Sequence, residues 1–298
     1  MNIAVISPHS VNNGNTTVAG LVALELGARG KKVCLTHTHT KSPCIFRYFG
    51  LDDEEQDKTA NPARMVKMIR EGILKRENIT EYCRPITQTV EIYSANDAQF
   101  NHDDMIFALE FIIRSFPHDF VVFDVDINEM DSDANKIVLG NCDFVIFVME
   151  QNVKEVASFR EKFRGIWKSI GKKPMLMVVN KYNPAVGKVN DLALQLGIKE
   201  IKKSSSWLYL RYNPYIIKYS NKGDLQGLHR AMRTNDARII DISSDIKNIV
   251  NRIMKFRSAK RMGYVEKEEI PADEDTDGTN TEASGAEGNS KVKLGNKD

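Results

Sequence analysis

The first segment that could do chemistry is a turn near the start of the chain. An apolar run at residues 3–6 leads into a loop that contains Gly14, and Thr16 and Thr17 open a helical segment directly after it. The backbone N–H groups at the start of such a helix converge on one spot and carry partial positive charge, so they attract phosphate. The pattern predicts an anion site, although an ordinary strand–turn–helix with a hydroxyl cap looks the same.

The rest of the chain supplies elements that would position this turn. Runs rich in Val, Ile, Leu, Met and Phe predict strands at residues 3–6, 33–38, 90–93, 120–124, 144–149, 175–180 and 207–210. Between them, helices are predicted at about residues 16–29, 63–75, 103–115, 133–139, 153–170 and 189–196. Short apolar strands that alternate with helices form parallel sheets covered on both faces. We expect an α/β fold: a parallel, doubly wound sheet of seven to eight strands flanked by helices.

Composition agrees with a folded protein of the cytoplasm. Of the 298 residues, 42% are hydrophobic and 28% are charged, which is ordinary for a globular protein. No run approaches the roughly 18 apolar residues of a membrane span, and no cleavable leader is evident. The four cysteines are scattered without a CxxC pair, so we expect free thiols and no disulfides.

The C-terminal part divides into a helix and a tail. Residues 264–298 carry ten acidic and four basic residues, a net charge of −6, which leaves +8 on residues 1–263. Because this tail has few large apolar residues, we expect it to be disordered and residues 1–263 to form one domain. Residues 237–261 predict an apolar helix that ends in a basic cluster. We favour packing of this helix on the core over attachment to a membrane surface.

Further landmarks follow the turn in a characteristic order. HDFVVFD ends at Asp124, NKYN begins at Asn180, and RYNPYI surrounds Pro214. Together with SVNNGNT in the turn, these segments resemble the MinD/ParA family of P-loop ATPases over roughly residues 1–260. The resemblance implies a P-loop NTPase-like fold and a dimer, with Asp124 at the end of the Walker B strand. It also implies that Asn180 and Pro214 border a nucleotide base.

The turn departs from the motif that it resembles. The family's deviant Walker A motif has a signature lysine where Ser10 stands and a phosphate-binding lysine where Asn15 stands. Phosphoryl transfer depends mainly on positioning and on stabilising negative charge, so the loss of both lysines removes central catalytic elements. We expect a degenerate Walker A motif and a catalytically impaired, ATPase-like protein, and we assign no catalytic residue.

Two histidines stand near the places where the family has aspartates after its second strand. His37 and His39 lie two residues apart, so their rings should project from one face of the strand. Magnesium prefers hard oxygen ligands, so imidazoles would not replace these carboxylates. With His9, Cys34 and Cys44 the two histidines could instead form a soft-metal cluster, but the spacing fits no zinc pattern, and hydrogen-bonded histidines are the favoured interpretation.

The remaining residues could still hold a nucleotide. Candidate binding residues are Gly14, Asn15, Thr16, Thr17, Asp124, Asn180 and Pro214, and Thr16 and Asp124 are the candidate metal ligands. Weak binding of ATP or ADP with magnesium and an empty, structural site are given equal weight.

The resemblance implies a function in cellular positioning. The missing lysines suggest the TadZ/CpaE branch, whose members place pilus or secretion machinery. We therefore expect a localisation or scaffold protein that works with protein partners in a pilus, secretion or conjugation assembly. One alternative is an active ParA-type ATPase in DNA partitioning, with Lys41 or Arg211 supplying the missing charge and nonspecific contacts to DNA. The other is a MinD-like regulator at the inner face of the membrane.

Overall fold

The computed structural model of the protein describes residues 1–8, 13–39, 45–51, 62–94, 102–125, 132–162, 164–195, 207–234 and 236–261. The strands are β1 (Asn2–Ile6), β2 (Val33–His37), β3 (Arg84–Pro85), β4 (Val90–Ile92), β5 (Phe120–Asp124), β6 (Phe144–Met149), β7 (Met175–Tyr182) and β8 (Trp207–Arg211). The helices are α1 (Asn15–Ala28), α2 (Pro62–Arg70), α3 (His102–Ser115), α4 (Asp133–Asn141), α5 (Val153–Lys162), α6 (Arg164–Gly171), α7 (Val189–Gln195), α8 (Pro214–Asn221), α9 (Leu225–Arg233) and α10 (Ile240–Arg261). Short 3₁₀ segments lie at Ile45–Phe49 and Arg76–Tyr82.

All eight strands belong to one sheet, in the order β3-β4-β2-β5-β1-β6-β7-β8. Each neighbouring pair is parallel except β3 with β4, which is antiparallel. The predicted α/β fold with a doubly wound sheet of seven to eight strands is confirmed. The seven predicted strands are all present, whereas β3 is too short to leave a periodic pattern in the sequence. Because the parallel strands share a direction, β1, β2, β5, β6, β7 and β8 all end at the same edge of the sheet.

Strand side chains alternate between two cores. One core contains Ala4, Phe123 and Phe147. The other contains their apolar neighbours in the chain: Ile3, Val5, Val122, Ile146 and Val148. Helix α1 lies in the second core and is buried from Thr17 through Gly27. A helix buried this completely is held in place by packing on several sides. The turn before it is therefore attached to a well-packed helix.

One predicted helix ends several residues from its end in the structure. Helix α2 ends at Arg70, five residues before the predicted end, and Gly72 follows it with a left-handed φ of 67°. Apolar residues continue beyond this point, so their spacing does not reveal where α2 stops. Helices α5 and α6 occupy the segment predicted as one helix over residues 153–170, and residue 163 between them lies outside the described residues.

Helix α10 packs on the core, as the favoured interpretation predicted. Ile242, Ile246, Ile249, Val250 and Ile253 are buried on one side of it. Part of its basic end is also engaged, since Arg257 pairs with Asp119 at 2.8 Å and Lys260 with Asp143 at 2.5 Å. Among the helices that the structure describes, none is long and apolar enough to cross a membrane. The predicted tail, residues 264–298, lies outside the described residues.

Candidate functional site

The turn after β1 is shaped by Gly14. This residue has a left-handed backbone (φ 77°, ψ 23°) and caps α1, and its carbonyl oxygen accepts the first helical hydrogen bond from Val18 N at 2.9 Å. A side chain at this position would overlap the amide nitrogen of Asn180. Glycine at this position therefore suits both the left-handed backbone and the close approach of the Asn180 side chain from β7.

The first two residues of α1 both bind Asp124. The Thr16 hydroxyl donates to Asp124 Oδ2 at 2.6 Å, and Asn15 Nδ2 donates to Asp124 Oδ1, also at 2.6 Å. Asn15 Nδ2 further lies 3.0 Å from the carbonyl oxygen of Val5 and 3.3 Å from that of Val125. Asp124 itself is fully buried. Each oxygen of this carboxylate thus receives a donor from the start of α1, which fixes the turn against the ends of β1 and β5.

Asn180 closes the turn from the side of β7. Its Nδ2 atom donates to the carbonyl oxygen of Asn13 at 2.6 Å, and both residues are buried. The side-chain nitrogen of Asn13 has no hydrogen-bond partner among the residues that the structure describes. This buried donor is available to a water molecule or a ligand.

His37 is the last residue of β2 and His39 follows it two residues later, near the same edge but in different surroundings. His39 approaches Asp124, with 3.6 Å between Nε2 and Oδ2. His37 is buried and its Nε2 lies 2.5 Å from the hydroxyl oxygen of Ser94. Burial, reinforced by His39 and opposed by Asp124, lowers the pKa of His37 to about 4. His37 is therefore neutral near pH 7.

The soft-metal hypothesis finds no support in the described part of the chain. His37 and His39 do face each other, with ring centroids 6.0 Å apart. Cys34, however, is buried in the core, and no group of three or more described His, Cys, Asp or Glu residues could hold a metal ion. His9 and Cys44, the other members of the hypothetical cluster, lie outside the described residues.

Basic side chains at the β7 and β8 ends of this edge are paired with carboxylates. Lys181 Nζ lies 2.6 Å from Glu150 Oε1. Arg211 binds Asp245 through Nε and NH2, at 3.0 and 2.8 Å, and Asp241 through NH1 at 2.8 Å. The hydrogen bonds to Asp245 raise the pKa of Arg211 above its ordinary value. The positive charge of Arg211 is therefore paired with two carboxylates of α10.

The structure brings most of the predicted binding residues together. Gly14, Asn15, Thr16, Asp124 and Asn180 form one hydrogen-bonded or packed cluster, and Thr17 is buried beside them in α1. Pro214 begins α8 next to Asn213, whose amide caps the helix at Tyr215 and binds the carbonyl oxygen of Arg238. Pro214 therefore lies at the start of α8 and close to the segment that precedes α10. Ser10, Lys41 and residues 11–12 of the turn lie outside the described residues.

The fold is shared with solved structures. The MinC:MinD cell division complex of Aquifex aeolicus matches over 85% of this chain and 95% of that chain, with a TM-score of 0.60 and 16% identity. The ParA family ATPase of Chlorobium tepidum matches over 84% and 98%, with a TM-score of 0.63 and 10% identity. The chain has the fold of the MinD/ParA P-loop ATPases.

This MinD/ParA fold is also found in MinD of Pyrococcus horikoshii, solved in complex with Mg-ADP. That structure matches over 87% of this chain and 98% of its own, with a TM-score of 0.61 and 14% identity. No protein-family model matches the sequence, and no curated protein is detectably similar to it. At such low identity the similarity concerns the fold alone. In this topology the turn between β1 and α1 lies at the edge where the parallel strands end.

Three features of this MinD/ParA fold were missed from the sequence. The first is the hydrogen bond from Asn180 to the carbonyl oxygen of Asn13, because a main-chain acceptor leaves no trace in residue types. The expected contact of Asn180 with a base stays a prediction. Ser94 binds His37 from a strand that is distant in sequence. Lys181 adopts a left-handed φ of 51°, which is uncommon for a residue other than glycine and is no part of the sequence pattern.

Proposed function

We propose that this protein is a ParA/MinD-like localisation or scaffold protein with a degenerate nucleotide site. In this proposal it assists the assembly or positioning of a pilus, secretion or conjugation system, in a role similar to that of the TadZ/CpaE branch. The observation that carries the proposal is the position of Asn15, whose neutral amide lies against Asp124 at the start of α1. A neutral side chain at this position fits a scaffold that keeps the fold but does not hydrolyse ATP.

The chemical argument rests on charge. The transition state of phosphoryl transfer spreads negative charge over the transferred group, and positive side chains stabilise it. Removing one such preorganised donor typically costs about 3 kcal/mol, or roughly 100-fold in rate. Asn15 is neutral, and Lys181 and Arg211 are already paired with carboxylates. Recruiting either one would first require breaking an ion pair.

Magnesium has few ligands here as well. The described residues place one carboxylate, Asp124, and one hydroxyl, that of Thr16, at the turn, with the imidazole of His39 beside them. Both carboxylate oxygens already accept hydrogen bonds. This donor set is a poor match for an ion that prefers a shell of oxygen ligands. It supports either weak binding of ATP or ADP or no bound nucleotide.

Protein partners and a dimer belong to the same proposal. A MinD of this fold has been solved in complex with MinC, and we propose that this chain likewise acts through other proteins. Its cellular place in this proposal is the cytoplasm, or the cytoplasmic face of the membrane beside the assembly that it positions.

A second candidate function is an active ParA-type ATPase in DNA partitioning. The hydrogen bond from Thr16 to Asp124 favours it, because this pair would be needed to organise a magnesium ion at a working site. A MinD-like membrane-surface regulator has less support, since the apolar side of α10 is buried in the core.

Localisation in the source cell tests the proposal. We expect a fluorescent fusion at native abundance to form discrete foci at a fixed cell position. Thr16→Val keeps the shape of the side chain and removes the hydroxyl, so a scaffold should keep its foci, whereas an ATP-driven partitioning protein should lose them. Immunoblots confirm equal abundance, and Asn141→Ala, a change at the exposed last residue of α4, is the matched control. Diffuse fluorescence of the unmodified protein would refute the positioning function.

A further inference from the structure

The two outer strands of the sheet are built differently. At one side lies β3, which has only two residues, Arg84 and Pro85. Short length and proline both hinder an outer strand from pairing with a further segment. At the other side lies β8, which has five residues, WLYLR, and no proline. An outer strand of this kind presents a row of N–H and C=O groups that can pair with another strand.

The hydrogen bonds near the end of β8 show which of its backbone groups face outward. Tyr212 N donates to Tyr182 O of β7 at 3.1 Å, whereas Arg211 N donates to Asp245 Oδ2 of α10 at 3.0 Å. Backbone groups alternate in direction along a strand, so the N–H and C=O of Tyr209 point outward, as those of Arg211 do. Among the described residues, Arg211 N has a partner on this side and Tyr209 N has none.

A shallow groove of about 700 Å³ lies between Leu208 of β8 and the outer face of α10. Met254 and Ala259 add apolar surface to this groove, and Arg252 and Lys255 line it three residues apart on the same face of the helix. A strand added to β8 would place every second side chain on the α10 side of the sheet, because side chains alternate between the two faces. The strand therefore offers main-chain hydrogen bonds, and the groove offers contacts to side chains.

The charges of the groove indicate the chemistry of its occupant. Further along α10, Arg257 is paired with Asp119. Arg252 and Lys255, by contrast, have no ion-pair partner among the described residues. Unpaired cations beside an apolar surface complement acidic side chains. Two copies of this chain paired through β8 would instead bring two such basic grooves side by side, and like charges oppose that arrangement.

We propose that the outer side of β8 binds an extended acidic segment of a partner protein, which joins the sheet as a further strand and directs carboxylates toward Arg252 and Lys255. Strand addition takes affinity from main-chain hydrogen bonds and selectivity from alternate side chains. This inference rests on the proposed function, because it names the surface through which a scaffold would hold a protein partner. The surface belongs to β8 and α10 rather than to the turn at Gly14.

Peptide binding to the full chain tests this surface. The probe is a capped, fluorescently labelled peptide of about eight residues in which valine and glutamate alternate, and fluorescence anisotropy follows its binding. We expect saturable binding that is at least about ten-fold stronger than that of the matching valine–lysine peptide. Methylation of all backbone nitrogens of the acidic peptide should abolish binding, because a methylated strand has no N–H groups to donate.

Two substitutions on α10 locate the site. Lys255→Glu should weaken binding of the acidic peptide at least about ten-fold, because it places a like charge beside the bound carboxylates. Lys247→Glu makes the same change of charge at an exposed position outside the groove. It should weaken binding less than about three-fold, because solvent screens a distant surface charge. Urea unfolding confirms that both variants are folded.

Three results would overturn the proposal: no saturable binding, equal binding of the methylated peptide, or equal effects of the two substitutions. A peptide-free dimer that dissociates when the acidic peptide is added, measured by sedimentation, would assign β8 to a second copy instead. The proposed function is tested separately. Foci that persist in the cell without peptide binding would overturn this surface alone, and diffuse fluorescence with intact peptide binding would overturn the positioning function alone.

Discussion

The hydroxyl of Thr16 donates a hydrogen bond of 2.6 Å to the buried carboxylate of Asp124, across 108 positions of sequence. This bond ties the first turn of α1 to the end of β5. Because Asn15 donates to the other oxygen of the same carboxylate, the start of the helix is anchored twice.

Removing the Thr16 hydroxyl should destabilise the fold. We expect Thr16→Val to lower the free energy of unfolding by about 2 kcal/mol, because hydrogen bonds to charged groups contribute about 1.5–3 kcal/mol. Thr16→Ser keeps the hydroxyl and should lose less than about 1 kcal/mol. Urea denaturation of both variants measures the difference, and equal losses in the two would show that the bond contributes nothing.

Gly14 should be more sensitive to substitution than another glycine with the same backbone. Gly30 has a similar φ, 73°, but open space around its Cα, whereas a side chain on Gly14 would meet Asn180. We expect Gly30→Ala to lose about 1 kcal/mol from backbone strain alone. Gly14→Ala should lose at least about 1 kcal/mol more from overlap. Thermal or urea unfolding compares them, and equal losses would contradict the close approach of Asn180.

Stability should fall in mild acid because of His37. Its pKa in the fold is about 4, against an ordinary value of 6.5. The unfolded chain therefore binds this proton first as pH falls, and the stabilisation present above pH 6.5 is lost between pH 6.5 and 4. This linkage predicts a loss of about 2 kcal/mol between pH 6.5 and 4.5.

Two histidine variants check the pH prediction. His37→Gln should flatten the dependence of the urea midpoint on pH, whereas His102→Gln should not, because the side chain of His102 is 61% exposed. A dependence of the same steepness in wild type and His37→Gln would assign the loss to other groups.

Helix α10 offers a matched pair of isoleucines. Ile249 is buried and Ile240 is 50% exposed. Ile249→Ala should lose about 2–5 kcal/mol of unfolding free energy through the cavity it leaves, and Ile240→Ala less than about 0.5 kcal/mol. Similar small losses in chemical denaturation would mean that α10 is not part of the core, and would reopen the membrane-surface hypothesis.

Much of the fold was predictable because strands and helices here have clear periodic patterns. Most residues of the seven parallel strands are apolar, and the helices between these strands indicate a parallel sheet, whose strands end at one edge. The end of α2 at Arg70 was not predictable from apolar spacing, because apolar residues continue beyond it. Strand β3 was not predictable because Arg84 and Pro85 form too short a pattern.

The candidate site was predictable in its members but not in its bonds. Gly14 and Thr16 were identified by their positions in the turn and at the start of α1, and Asp124 was added to the site by the resemblance to the MinD/ParA family. The contacts of Asn15 with the carbonyl oxygens of Val5 and Val125 depend on main-chain geometry, which residue types do not specify. For the same reason the hydrogen bond from Asn180 to the carbonyl oxygen of Asn13 was not predicted. The expected contact of Asn180 with a nucleotide base stays a prediction.

Steady-state phosphate release from ATP, with and without magnesium, is the most direct test of whether this site hydrolyses nucleotide. We expect no release above the protein-free control, because a neutral Asn15 stands at the start of α1, where a positive charge would be needed to stabilise the transferred phosphate. Sustained magnesium-dependent release that disappears in a folded Asp124→Ala variant would contradict it.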